Sequence, residues 1–236
     1  MMRTKCLFAI LALVSAFFLT THSWGEVYRV VFDAWTETYV NSKGETAQAM
    51  NFQFRNIEDT KGLNGPDAVK SVTVTAPDGT VFDLTGTWSE WQKQYFGRYA
   101  ATVGGTFKGT VEYGVNKALT ASKALPKTLS FFPLPNVTNP LPGATVDSLT
   151  PAITWEKVQG AQFYCLELWD QSLNQPVYYY PHNRIHVYRL SFTIPAGVLR
   201  PATNYGVRIE ARDSDKALTK RSRTAWINFT TPAAAP

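Results

Sequence analysis

Residues 199–213 read LRPATNYGVRIEARD, and this stretch decides the fold. From Tyr205 onward every second residue is apolar: Tyr205, Val207, Ile209 and Ala211, with Arg208, Glu210 and Arg212 among the residues between them. A period of two belongs to a strand with one face in a core and the other facing away from it. Upstream, PAITWEKVQGAQFYCLELWD (151–170) supplies two more strands around the turn VQGA. Downstream, RTAWINFTT (223–231) supplies another.

The same pattern runs through the first half. VYRVVFDAW (27–35), AQAMNFQFR (47–55), VKSVTVTA (69–76), TVFDLTG (80–86) and FKGTVEYGV (107–115) are rich in Val, Thr and aromatics, and TLSFF (128–132) reads as a further strand. APDGT joins two of these runs, with Pro77 fixing φ and Gly79 free to take a positive φ, so 69–86 is a hairpin. No window has the periodicity of an amphipathic helix. FPLPNVTNPLPG (132–143) holds four prolines, which lack the ladder donor, and reads as a stiff linker.

With these residues in place, 144–231 resembles a fibronectin type III domain through Pro151, Trp155, Tyr164, Leu199, Pro201, Thr203, Tyr205, Val207, Ile209 and Ala211. The resemblance implies that Trp155 fills the core and that Leu199 plugs one end of the sandwich. It also implies that Tyr205 makes a tyrosine corner, its hydroxyl bonding backbone at the preceding turn. The N-terminal half resembles, more loosely, an immunoglobulin-like Greek key. The expected architecture is all-β: two tandem immunoglobulin/fibronectin-III-like β-sandwiches after a signal peptide. Its parts are a signal peptide (1–25), a first sandwich (26–132), a linker (133–143), a second sandwich (144–231) and a tail (232–236). This layout is similar to that of exported proteins of Gram-negative bacteria, a resemblance that brings no activity with it. Sandwiches of this kind occur in adhesins, in accessory domains of enzymes and in assembly factors, so fold does not decide function.

The signal-peptide reading rests on Arg3 and Lys5, the uncharged run from Cys6 to Thr20, and small residues at Ser23 and Gly25 before Glu26. That run is shorter than the roughly 20 residues needed to span a bilayer, and no later stretch is long and apolar enough for a membrane helix. The expectation is a chain secreted through the inner membrane and residing in the periplasm, on the cell surface or outside the cell. After cleavage only Cys165 remains, inside FYCLELW, so no internal disulfide forms and Cys165 reads as a small buried hydrophobe.

Composition narrows the chemistry. The formal charge of +5 falls to +3 without Arg3 and Lys5, too weak a surplus to suggest nucleic acid. Its only local concentration, KALTKRSR (216–223), reads as a solvated hairpin loop. There is no G-x-S-x-G, H-E-x-x-H, P-loop or C-x-x-C motif. His182 and His186 have no third partner for zinc, Glu90 and Glu156 have no reason to pair, and the sequons at Asn136 and Asn228 read as chance. No catalytic residue, cofactor or metal is assigned.

Aromatic clusters are the remaining lead. WSEWQKQYFGRY (88–99) supplies Trp88, Trp91, Tyr95 and Tyr99, read as a lid on a core or as a ligand-binding patch. As a continuous strand it would put Trp88 and Phe96 opposite Trp91, Tyr95 and Tyr99. VYYYPH (177–182) supplies Tyr178, Tyr179 and Tyr180, with at least one exposed for a partner. The expected function is non-catalytic binding or assembly with a protein or cell-envelope partner. The alternatives are a carbohydrate binder using the 88–99 aromatics and a small secreted hydrolase.

Overall fold

The computed structural model describes residues 30–55, 69–90, 92–100, 103–113, 117–178, 185–186, 189–214 and 217–233. The expected signal peptide lies outside them. The described residues form eighteen strands and no helix. The protein is an all-β sandwich structure with two hydrophobic cores.

The first core lies between two layers. One layer contains β1 (Val31–Val40), β2 (Thr46–Arg55), β5 (Trp88–Ser89) and β6 (Gln94–Tyr99). The other has the order β4-β3-β7-β8, from β3 (Val69–Thr75), β4 (Val81–Asp83), β7 (Thr106–Tyr113) and β8 (Lys117–Ala124). Phe32, Phe52, Phe54, Val72, Val74, Phe107 and Val111 meet between them. The β3–β4 turn has Gly79 at φ +87°. Gly109 gives the core room: a Cβ there would stand 2.7 Å from the Phe54 ring and 2.9 Å from Phe32.

The second core is covered by the sheet β15-β11-β9, built from β9 (Val137–Asn139), β11 (Ala152–Trp155) and β15 (Ser191–Thr193). Opposite it stand β12 (Phe163–Asp170), β16 (Asn204–Arg212), β17 (Lys220–Arg223) and β18 (Ile227–Thr230). β10 (Ala144–Thr145) pairs with β18, and β13 (Gln175–Tyr178) and β14 (Ile185–His186) pair with β12. Trp155, Tyr164, Leu199, Tyr205 and Phe229 are in this core. Tyr205 Oη accepts from the Arg200 N–H at 2.9 Å, and Tyr164 Oη accepts from the Val158 N–H at 2.7 Å. Two tyrosine hydroxyls thus hold two turns.

Three elements depart from the sequence reading. TLSFF is not a strand: Pro126 and Pro133 flank it, Leu129 packs on the first core and Phe132 on the second. β9 lies inside the stretch read as linker and pairs with β11. KRSR is no solvated loop. It is β17, antiparallel to β16 on one side and parallel to β1 on the other.

That last pairing positions everything below. β17 and β18 are two stretches of chain along the same side of β16; β10 runs parallel to β18, and β1 runs parallel to β17, with Glu37 opposite Arg221 and Tyr39 opposite Arg223. One sheet of eleven strands therefore passes through both sandwiches. At the crossing, the Thr36 N–H donates to the Thr219 carbonyl (3.0 Å) and its hydroxyl to the Ser130 carbonyl (2.7 Å).

Candidate interaction face

Because side chains alternate along a strand, the shared sheet has two faces. Phe32, Ala34, Phe52, Phe54, Val207, Ile209 and Ala211 turn to the cores. The register then places Asp33, Trp35, Glu37 and Tyr39 on the opposite face, beside Asn51, Gln53, Phe96, Arg98, Arg221, Arg223, Glu210 and Arg212.

Glu37 is at its centre and is 0 % exposed. Arg98 Nη2 donates to its Oε2 at 2.9 Å, and Arg221 Nη2 and Arg223 Nη2 stand 2.9 and 3.5 Å from Oε1. The last two are ion contacts lying off the hydrogen-bond line, since Oε1 has no aligned donor. One strand further, Glu210 pairs with Arg212 and with Arg221 Nη1 at 3.3 Å. Burial pushes the Glu210 carboxyl up, but the Arg212, Arg221 and Arg223 guanidiniums outweigh it and bring it down to about 2.

Aromatic rings carry the guanidiniums. Arg98 lies 3.8 Å over the Tyr39 ring, Arg221 4.7 Å over Trp35, and Arg208 4.3 Å over Trp226. Trp226, 37 % exposed, is the outermost of these rings and neighbours Trp169 at 6.2 Å. Arg208 also pairs with Glu167, and Arg55 with Asp33. The arrangement holds no nucleophile poised beside a base. Cys165 is buried, and burial pushes its thiol up to about 12. Among the described residues no three metal-ligating side chains converge.

The aromatics of 88–99 lie elsewhere. The chain reverses at Glu90–Lys93, where Lys93 has φ 51°, so β5 and β6 form a hairpin rather than one continuous strand. Trp88 pairs with Tyr95 and so takes its face, not the opposite one. Tyr95 is 1 % exposed, within the first core, and Trp88 and Tyr99 pack against that core. Trp88 Nε1 donates to Glu90 (2.6 Å) and Tyr99 Oη to the Asp83 carbonyl (2.5 Å). These three rings present no flat open platform; Trp91 lies outside the described residues. Tyr179, Tyr180, His182 and the side chains of Tyr178 and His186 lie outside them too.

The face escaped sequence reasoning because its members are scattered over β1, β2, β6, β16 and β17. One signal was present: Trp35, Glu37 and Tyr39 alternate on one strand, as do Arg221 and Arg223 on another.

No family model and no curated protein matches the chain. Among solved structures it is similar to the FN1–FN3 domains of chicken CNTN1 (13 % identity, TM-score 0.31, 85 % of this chain and 64 % of that one). It is also similar to titin domains z1z2 in complex with telethonin (10 %, 0.27, 88 % and 97 %). A third is dimeric latent PorU from Porphyromonas gingivalis (10 %, 0.31, 87 % and 20 %). The match thus spans under two thirds of the CNTN1 chain and one fifth of PorU. Among the described residues no helix is long and apolar enough to cross a membrane.

Proposed function

We propose that this is an exported, non-catalytic binding or assembly protein in which two sandwiches act as one body. The observation that carries the reading is the parallel β1–β17 pairing, which gives both sandwiches one sheet and one outward face. Six strands of that sheet, β6-β2-β1-β17-β16-β12, span about 24 Å at about 4.8 Å per gap. A tandem pair joined only by a flexible linker presents two independent surfaces, whereas a shared sheet presents one surface of fixed geometry. Rigid presentation lowers the ordering cost of association. Arg, Trp and Tyr on the face are the residue types that dominate recognition surfaces.

Export rests on the N-terminal sequence alone. Expressed in a Gram-negative host, the full chain should be cut before Glu26 and recovered outside the cytoplasm. Cross-linking in the native cell should then capture envelope or secreted proteins on residues of the shared face. A full-length cytoplasmic product overturns export, and cross-links that avoid the shared face overturn the assignment of the binding surface.

A further inference from the structure

Across the shared face the guanidiniums outnumber the carboxylates. Arg98, Arg212, Arg221 and Arg223 surround Glu37 and Glu210, and the flanking pairs Arg208–Glu167 and Arg55–Asp33 balance each other. Among the described residues, six guanidiniums thus face four carboxylates, with Arg98, Arg221 and Arg223 all on Glu37 at the β1–β17 junction. All four oxygens of Glu37 and Glu210 are already in ion contact. Arg223 has the weakest contact of the set, 3.5 Å to Glu37, and its side chain is 21 % exposed.

A second observation points the same way. Trp35 Nε1, Asn51 Nδ2 and Arg221 Nε, on neighbouring strands at this junction, are buried without an acceptor, and Glu37 Oε1 among them has no aligned donor. The polar groups of the junction are thus incompletely matched, and its partly exposed guanidiniums, Arg98 and Arg223, are the ones an incoming anion can reach.

The geometry points to a docking site for an acidic segment of a protein partner, whose carboxylates pair with Arg223 and Arg98 beside the β1–β17 junction. It rests on the binding reading above and adds the partner's chemistry. The source is a peptide rather than an acidic polysaccharide because the rings are already covered. Tyr39, Trp35 and Trp226 have guanidiniums over their faces at 3.8, 4.7 and 4.3 Å, where a sugar ring would have to stack. A carboxylate on an Asp or Glu arm reaches the edge of a recessed guanidinium without displacing it from the ring.

The test is fluorescence anisotropy of a labelled decaglutamate peptide against the mature chain, with alginate as competitor. At about 0.01 M salt, where the Debye length is about 30 Å, the peptide binds, and binding weakens at about 0.15 M, where it is about 8 Å. Arg223→Gln weakens binding about tenfold, the loss of one charge-assisted contact, while the exposed Lys70→Gln leaves it unchanged. If Arg223→Gln does not fold, Arg223→Lys keeps the charge but loses the fork and should weaken binding by a smaller factor. No binding at low salt, equal losses from Arg223→Gln and Lys70→Gln, or alginate outcompeting the peptide at equal carboxylate concentration overturns the proposal. Failure here leaves the cross-linking result above intact, so the partner's chemistry and the binding role fail separately.

Discussion

Glu37→Gln is the sharpest perturbation of the junction. The replacement keeps the shape of the side chain, so no cavity opens, and it removes only the charge. Glu37 is fully buried and is in ion contact with Arg98, Arg221 and Arg223, at 2.9, 2.9 and 3.5 Å. Removing the buried partner of an ion cluster costs about 3–5 kcal/mol, because Arg221 remains buried, and Arg98 and Arg223 half-buried, without this counter-charge. A stability of about 5–15 kcal/mol is ordinary for a domain, so the loss is a large share of the total. Urea unfolding followed by tryptophan fluorescence reads it, since Trp35 lies beneath Arg221 at the junction. Arg223→Gln, which removes one 3.5 Å contact on a partly exposed side chain, should cost under about 1 kcal/mol. A loss below about 1 kcal/mol for Glu37→Gln would refute the reasoning: the junction would then be electrostatically idle.

Three further outcomes follow from the same contacts. Glu210 has its carboxyl held down at about 2, against roughly 4.3 unfolded, so it contributes about 3 kcal/mol above the unfolded value. Stability should therefore fall as pH drops from about 4.5 toward 2, and Glu210→Gln should flatten that part of the pH–stability curve; an unchanged slope contradicts the ion cluster. Tyr205→Phe leaves the Arg200 N–H without its acceptor and should cost about 1–3 kcal/mol by chemical denaturation, an unaltered midpoint arguing against the corner. In the chain without residues 1–25, which lacks Cys6, Cys165, buried with its thiol pushed up to about 12, should resist a thiol reagent at neutral pH until urea unfolds the chain. Rapid labelling of the folded protein would overturn its placement.

How much of this was legible depends on which interaction carries each element. Strands that bury Val, Ile and aromatics on one face, such as β3, β12 and β16, announce themselves by period two. β8, with KALTASKA, does not: it is a strand because β7 offers it a ladder along eight residues, not because its residues favour one. β1 was legible only to Trp35. Its second half, TETYV, reads as polar because charge and strand pairing, rather than apolar burial, occupy its outward side. KRSR hides for the same reason: four polar residues look solvated unless the Glu37 carboxylate, far away in sequence, is known to meet them. Glu90 and Lys93 close a turn that folds Trp88 back beside Tyr95, and such a reversal is invisible to spacing alone. Fold was therefore written in local periodicity, and the candidate face in long-range pairing.

The central claim is that both sandwiches share one sheet and move as one body. Spin labels at Asp78→Cys and Ala196→Cys, exposed turn positions on the two sandwiches, test it by the distribution of inter-spin distances. In the chain without residues 1–25 the remaining native cysteine, Cys165, is buried and leaves both sites free to be labelled selectively. The account predicts a single narrow distance peak, broadened by Glu37→Gln. A broad, multi-peaked distribution in the unmutated background would contradict it.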